Sequence, residues 1–290
     1  MRARLLVNLA LLALVALLAA VAFFEPTLDE PAAPPTLTGL TAQDVASLRI
    51  ARSDGSVVAF ERRDGAWWMV EPIEILASDY RVQAVVALAE AHSHARYAVA
   101  DVDLAAVGLE PPEVRVTYNG GEELAFGGQS PLDQRRYVRV GDVVHLVDGG
   151  SYYHLVGHHA SFVDTTLLPP GARIAALHLP GLDVTQRDGR WQVSPRPDEF
   201  SVDRVNALLE HWRLTRALQV SGHATDHHHG MHGDTARVEF ADGRAPITFL
   251  IEAREPELVL SRPELGLSYR LTAESAERLF SLPTVTAPTP

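Results

Sequence analysis

The chain has 290 residues, of which 47% are hydrophobic and 21% are charged, so it can bury one or two ordinary cores. It contains no Cys, and all 25 basic residues are Arg. This composition excludes disulfides, thiol nucleophiles, thiolate metal sites and any chemistry that needs a Lys, such as a P-loop or a Schiff base. A formal net charge of -12 argues against a nucleic-acid partner, because phosphate binding requires a basic surface.

The N-terminal stretch from Leu5 to Phe24 is almost entirely apolar. At 1.5 Å per helical residue it matches one bilayer core of about 30 Å. Arg2 and Arg4 precede it, whereas Glu25 and Asp29 follow it, so the positive-inside rule keeps the N-terminus in the cytoplasm. The sequence predicts a single-pass inner-membrane protein whose C-terminal body lies in the periplasm.

A cleaved signal peptide is the alternative interpretation of the same stretch, because Ala20-Val21-Ala22 resembles a cleavage site for export. The apolar run continues through Phe23 and Phe24 and is longer than the usual signal core, which favours a retained anchor. Both interpretations export the rest of the chain.

The remainder of the chain contains two similar segments. Val57 to Met69 aligns with Leu182 to Val193, and each reads as a strand, an Asp-Gly turn and a return strand carrying Trp67 or Trp191. Ser78 and Ser201 follow as expected helix N-caps. Apolar residues then recur at helical spacing, at Val82, Val85, Val86 and Ala89 and at Val205, Leu208, Leu209 and Trp212.

Short strands and one terminal helix are predicted after each of these helices. The expected terminal helices are Gly150 to Val156 and Ala273 to Phe280. The predicted fold class is therefore α+β: an N-terminal transmembrane helix followed by two repeated units, each an antiparallel sheet with a helix packed on one face. The predicted parts are an anchor (1–24), a Pro-rich linker (25–41), a first repeat (42–168), a second repeat (169–282) and a disordered tail (283–290).

The ordered motifs of the first repeat resemble a bacterial family known as domain of unknown function 4340. The resemblance rests on Glu61-Arg62-Arg63-Asp64-Gly65-Ala66-Trp67, Glu71-Pro72, Ala77, Asp79, Val107-Gly108-Leu109-Glu110-Pro111-Pro112, Tyr137-Val138-Arg139 and Val143 to Val147. It implies a membrane-anchored protein, since some members of the family accompany gliding-motility-type ABC transporter components. The family has no assigned reaction, and the second repeat has a His-rich loop in place of its Gly-Leu-x-Pro-Pro segment.

That loop, from His223 to Asp234, is the most conspicuous candidate site. Its imidazoles are suited to zinc, copper or nickel, and the candidate ligands are His223, His227, His228, His229 and His232. The alternative is a solvated polar loop, because its two glycines favour a mobile segment that would lose entropy on ordering.

Other histidines carry weaker signals. His92 and His94 follow the first helix and suit a helix C-terminus, whereas His158 and His159 lie near the end of the first repeat. They could join a metal site only if the loops met in space, and none of them forms the His-Glu-x-x-His pattern of a zinc protease.

Three further groups are ambiguous between structure and function. Asp101 and Asp103 are better suited to capping than to acid catalysis, and the Trp residues at the hairpins to core packing than to a binding platform. Arg135 and Arg136 could grip an anion, but an exposed strand edge is the simpler interpretation.

Together these features favour a non-enzymatic, membrane-anchored periplasmic protein that binds or scaffolds a protein partner, in an envelope or ABC-transport-associated complex. No cofactor is expected. A periplasmic metal-binding protein that uses the loop 223–234 is the alternative, and an enzyme with unrecognised carboxylates ranks last, because no short spacing predicts a convergent site.

Overall fold

The computed structural model describes residues 9, 11–20, 35–197, 200–223 and 233–283. The chain divides into an N-terminal segment, Met1–Pro35, and a body, Thr36–Pro290. Residues 11–20 form helix α1. Among the residues that the structure describes, no helix is both long and apolar enough to cross a bilayer. Much of the predicted anchor, including residues 5–8 and 21–24, lies outside the described residues.

The first repeat consists of nine strands and two α-helices. They are β1 (Ser47–Arg52), β2 (Val57–Arg63), β3 (Ala66–Glu71), β4 (Ile75–Leu76), α2 (Asp79–Val86), β5 (Ala95–Ala98), β6 (Val114–Tyr118), β7 (Glu122–Gln129), β8 (Arg136–Val140), β9 (Val143–Val147) and α3 (Tyr153–Val156). The strands form one antiparallel sheet in the order β4-β3-β2-β1-β6-β7-β8-β9-β5.

The second repeat has the same plan in its described residues. Its elements are β10 (Ile174–Leu179), β11 (Leu182–Arg187), β12 (Arg190–Ser194), α4 (Val202–Leu214), β13 (Gln219–Gly222), β14 (Thr235–Phe240), β15 (Ile247–Ala253), β16 (Glu257–Arg262), β17 (Leu267–Thr272) and α5 (Ala273–Phe280). The sheet order is β12-β11-β10-β14-β15-β16-β17-β13, which repeats the order of the first sheet without a counterpart of β4.

The described body is therefore mostly β, and the prediction of two antiparallel repeats is confirmed at that level. The sheet content is higher than the predicted α+β class implies, because each sheet contains strands that were not predicted. Each sheet has an interior strand that the sequence analysis missed, β1 or β10. The hairpin (β2 and β3, or β11 and β12) pairs with one side of it, and the meander (β6 to β9, or β14 to β17) pairs with the other. The helices between strands remain short, at 8 residues in α2 and 13 in α4.

The two Asp-Gly hairpins match closely. Both turn residues have positive φ in each copy, 51° and 82° at Asp64-Gly65 and 50° and 72° at Asp188-Gly189, as a two-residue hairpin turn requires. Trp67 pairs with Arg62, and Trp191 pairs with Gln186, at the same distance from the turn. The predicted equivalence of the two Trp residues is confirmed, although Trp67 is buried and Trp191 only half-buried.

The helices also match. Val82 and Val205 are each the fourth residue of their helix, and both are fully buried. The hydroxyl of Ser201 accepts a hydrogen bond from the Asp203 backbone N–H at 3.2 Å, as predicted for an N-cap. The Ser78 side chain makes no such bond, so the corresponding prediction is wrong. The Ser78 backbone N–H instead donates to the carbonyl of Phe162 at 2.6 Å, so a backbone contact holds the start of α2.

One continuous hydrophobic core includes buried residues from both repeats, such as Val82, Leu167 and Val205. A second, smaller cluster contains Leu109, Ala125 and Val144, where the segment between β5 and β6 folds onto the first sheet. The His-rich loop lies between β13 and β14, at the matching point of the second repeat. In the order of elements, the loop therefore corresponds to the segment that covers part of the first sheet.

Candidate functional site

Residues 163–170, which we call the linker as distinct from the Pro-rich linker (25–41), form a seam that joins the two sheets. On one side Val163 bridges Ala77, and the Asp164 backbone N–H donates to the Leu76 carbonyl at 3.0 Å. On the other side Thr166 bridges Arg216. Backbone hydrogen bonding therefore holds strand β4 of the first repeat and the segment before β13 of the second repeat against one short stretch of chain.

Thr166 has a counterpart at the start of the first repeat, because Thr36 bridges His92 in the same relation to the following edge strand. Leu37 and Leu167 come next, and both are buried. The Thr-Leu pairs therefore precede β1 and β10 in equivalent positions. The equivalence of the two Thr-Leu pairs becomes visible only from the bridges to His92 and Arg216, because a two-residue match is too short to be recognised in the sequence.

A small cavity lies at this seam, which we call the seam cavity. Its volume is about 160 Å³. Most of its lining is apolar, and both sheets and the linker contribute to it, with Trp68, Ile75, Leu76, Leu168, Ile247 and Tyr269. An apolar cavity of about 150 Å³ can hold a benzene-sized group, so the seam cavity can accommodate one ring-sized apolar side chain.

The sequence explains why the cavity wall is apolar and stiff. Leu167 and Leu168 of the linker are buried, and Pro169 and Pro170 follow them, so Leu168 and Pro169, which each precede a proline, favour extended backbone. The other wall is β4, which follows Pro72 and pairs with β3 through Trp68. Rigid walls reduce the entropy lost when a ligand enters.

Polar groups also line the cavity. Arg262 lies at the end of β16, with its side chain only 16% exposed, and its Nε donates to Glu264 at 2.9 Å. Burial raises the pKa of Tyr269, and the neighbouring charge and hydrogen bonding of Arg262 oppose that rise. Asp164 accepts hydrogen bonds from the Thr166 backbone and hydroxyl at 2.8 and 2.6 Å, which orders the linker.

His223, the first residue of the His-rich loop, is fixed to the outer face of the second sheet. His223 Nδ1 lies 3.1 Å from the Ser268 hydroxyl and 3.1 Å from Glu252 Oε1. At the other end of the loop, Asp234 pairs with Arg254 at 3.2 Å. His227, His228, His229 and His232 lie outside the described residues.

Glu252 is the residue near this loop that sequence analysis missed. It comes from β15, and its nearness to His223 follows from the pairing of β13 with β17 and of β15 with β16. Within residues 35–197, 200–223 and 233–283, no group of three or more His, Asp or Glu residues is arranged to hold a metal ion.

The remaining histidines have structural contacts in the described fold. His158 packs against β13, where a Cβ at Gly222 would lie 2.8 Å from its ring, so a larger residue at this position would force the ring to shift. The ring of His159 stacks on that of His158 at 4.1 Å, and burial lowers the pKa of His159. His94 lies 3.2 Å from Asp148.

The prediction of an exposed edge at Arg136 is wrong. Strand β8 is an interior strand, between β7 and β9, and the Arg136 side chain is only 14% exposed. Its guanidinium donates to Glu113 at 2.9 Å and stacks 3.3 Å from the centre of the Tyr152 ring. Burial and the hydrogen bond to Glu113 raise the pKa of Tyr152 to about 12. The cluster joins strand β8 to the segment that leads into α3.

Asp103 acts as the sequence analysis favoured, because its carboxylate accepts a hydrogen bond from the Ala106 backbone N–H at 3.1 Å in a turn. Trp67 belongs to the core. Trp68, on the opposite face of β3, is the one of these aromatic residues that lines the seam cavity.

Comparison with protein families yields a match over the middle of the chain. A family model with the description "Domain of unknown function (DUF4340)" matches residues 67–228, which is more than half of the chain. The matched range includes β4, the linker and the start of the His-rich loop. No curated protein and no solved structure matches the chain significantly.

Proposed function

The chain belongs to the DUF4340 family, whose description assigns no activity, and we propose from its own residues that it is a non-enzymatic, membrane-anchored periplasmic protein that binds a protein partner. The seam cavity is the proposed contact site. Its partner belongs to an envelope or transport-associated complex, as the family resemblance implies.

The seam cavity is the observation that carries this proposal. Protein interfaces are commonly anchored by one or two apolar side chains that enter pockets of the partner. The cavity has the volume for one such side chain, and its walls come from two sheets that the core holds together. Both sheets line the cavity, and neither forms it alone. A binding site of this kind therefore requires two repeats.

The location in the membrane rests on the sequence. The apolar stretch from Leu5 to Phe24 has Arg2 and Arg4 before it and acidic residues after it. The Pro-rich linker that follows suits a semi-rigid spacer, which would hold the body away from the headgroups.

The decisive experiment fills the cavity. In Ile247→Trp, a larger side chain replaces a cavity-lining residue. The matched control is Thr248→Trp, because Thr248 is the next residue of β15 and is exposed. Each full-length variant is crosslinked in native membranes, extracted in mild detergent, and analysed for a defined crosslinked protein.

We expect the wild type and Thr248→Trp to give the same crosslinked partner, and Ile247→Trp to lose at least nine-tenths of it. Thermal melting of each variant establishes that both are folded. Equal recovery with a folded Ile247→Trp, or no defined partner with the wild type, contradicts the proposal.

A second candidate function is metal binding, which the contact between His223 and Glu252 favours. A carboxylate that orients an imidazole is a common element of metal sites. Zinc and copper titrations of the wild type and of Glu252→Gln test it. A submicromolar affinity of the wild type that falls at least tenfold in Glu252→Gln supports this function. Micromolar or weaker affinity that is equal in the two proteins contradicts it.

A further inference from the structure

Arg262 lines the seam cavity, and within the described residues not all of its N–H groups donate a hydrogen bond. A guanidinium carries five N–H donors. In the described part of the chain, Nε donates to Glu264 and the group lies beside the Tyr269 hydroxyl. Arg262 is largely shielded from solvent yet lines the cavity, so its remaining donors can meet an acceptor on whatever enters.

The charged residues that line the cavity are each paired with a charged residue of the protein. Arg262 pairs with Glu264, and Glu74, which also lines the cavity, lies 2.7 Å from Arg63. Asp164 lies 3.7 Å from Arg216. Each charged residue of the lining, Arg262, Glu74 and Asp164, therefore already has an oppositely charged partner within the protein, and none is left for an ionic ligand to pair with. Moving a charged group into so small an apolar space would cost free energy without compensation.

Building on the proposed function, we propose that the seam cavity binds one phenyl-sized side chain of an extended, uncharged partner segment, and that Arg262 donates a hydrogen bond to a main-chain carbonyl of that segment. The volume of about 160 Å³ sets the size of the anchor. Because Arg262 is already paired with Glu264, a neutral carbonyl is favoured over a carboxylate as the acceptor.

The same volume disfavours a lipid. An acyl chain needs a long continuous channel, whereas the seam cavity holds one ring-sized group. A peptide presents an apolar side chain and a carbonyl oxygen a few ångströms apart, which matches an apolar wall beside a donor. Trp68 on β3 adds an aromatic surface for edge-to-face contact with such an anchor.

Peptides provide the direct test. The full-length protein, in lipid nanodiscs and with labelled Ile methyl groups, is titrated with acetyl-Gly-Gly-Phe-Gly-Gly-amide, and the NMR signals of Ile75 and Ile247 report on the cavity. The comparison ligands are the same peptide with Ala for Phe, acetyl-Phe with a free carboxylate, and octanoate.

We expect the Phe peptide to shift both methyl signals saturably, and the Ala peptide, acetyl-Phe and octanoate to bind at least fivefold more weakly. Arg262→Met, which keeps the length of the side chain without its donors, should weaken the Phe peptide about tenfold. Arg270→Met, the same substitution on β17 at a residue that pairs with Glu257 and does not line the cavity, should leave that affinity within twofold.

Equal binding of the Ala peptide overturns the aromatic anchor, and tighter binding of acetyl-Phe or octanoate overturns the neutral peptide. An unchanged affinity in a folded Arg262→Met overturns the role of the guanidinium. These outcomes are separable from failure of the proposed function. If Ile247→Trp abolishes partner crosslinking but the Phe peptide does not bind, this inference fails and the proposed function stands. If crosslinking survives Ile247→Trp, the proposed function fails.

Discussion

At the scale of single residues, Trp67 and Trp191 show how one sequence motif acquires two environments. Both follow an Asp-Gly turn at the same register. Trp67 is only 1% exposed, since β3 is covered on its outer side by β4 and the linker. Trp191 lies on β12, an edge strand, and is half-buried.

Trp67→Ala should therefore destabilise the protein much more than Trp191→Ala. We expect a loss of about 3 to 5 kcal/mol in the free energy of unfolding for Trp67→Ala, because a large cavity would remain. The loss for Trp191→Ala should be about half of that, as the side chain keeps contact with solvent. Urea unfolding monitored by circular dichroism measures both, and equal losses would contradict the difference in burial.

His145 should make stability depend on pH. Burial, and secondarily the charge of Arg96, lower the pKa of this histidine below its ordinary value of 6.5, and its Nδ1 lies 3.0 Å from the Ser93 hydroxyl. Below pH 6.5 the unfolded chain binds a proton that the folded chain resists, so stability falls as pH decreases.

The contribution of one such histidine cannot exceed about 1.4 kcal/mol per pH unit. His145→Gln should reduce the slope of unfolding free energy between pH 6.5 and 5, even if the variant is less stable at every pH. Urea unfolding across that range gives the slope, and a slope identical to that of the wild type would refute the assignment.

At the scale of elements, Arg136 connects an interior strand to the end of the first repeat. Its guanidinium contacts Glu113, the Gly127 carbonyl and the Tyr152 ring. Glu113 keeps 45% of its side chain exposed, so solvent screening limits the value of this ion pair.

We expect Arg136→Met to cost about 1 to 3 kcal/mol of unfolding free energy, since the carbonyl and the carboxylate lose a charged donor. Arg139→Met is the control on the same strand, where, in the described part of the chain, the guanidinium hydrogen-bonds to the nearby Gly141 carbonyl. It should cost less than about 0.5 kcal/mol. A control loss as large as that of Arg136→Met would show that the cluster around Tyr152 has no special role.

The His-rich loop should be separable from the scaffold. Its ends are held by His223 and Asp234, so replacing residues 224–232 with a shorter Gly/Ser connection keeps both anchoring contacts. Loop-closure entropy changes slowly with length, and we expect a change in unfolding free energy below about 1 kcal/mol. Any specific zinc or copper binding should disappear. A large loss of metal-free stability would mean that the loop packs on the sheet, as its counterpart in the first repeat does.

At the scale of the whole molecule, the predicted topology has a direct test. A reporter fused at Pro290 should be active if it requires the periplasm and silent if it requires the cytoplasm, because the charges around the apolar N-terminal stretch orient the chain. The mature N-terminus, determined by mass spectrometry, then separates a retained anchor from a cleaved signal. The reverse reporter pattern would contradict export. A mature N-terminus at Phe23 would contradict the retained anchor but would leave export intact.

Most of the repeat could be predicted from local sequence. The Asp-Gly turns, the helix starts near Asp79 and Val202, and the strands of each meander all carry short-range signals. Strands β5 and β13 could not be found in this way, because each has four residues and pairs with a strand distant in sequence, β9 or β17. Strand β1 did carry a signal, the alternation of Leu48 and Ile50, which the hairpin alignment did not include.

The sequence by itself determined the repeat and the class of each hairpin, because turn residues and periodicity are local properties. Its composition alone determined which chemistry the chain lacks. Only the tertiary structure decided which side chains share a site. The seam cavity joins residues of β3 and β4, the linker and strands β15 to β17, and the pairing of Glu252 with His223 depends on strand order. Those distances follow from how two sheets pack around one core, and no spacing along the chain encodes them.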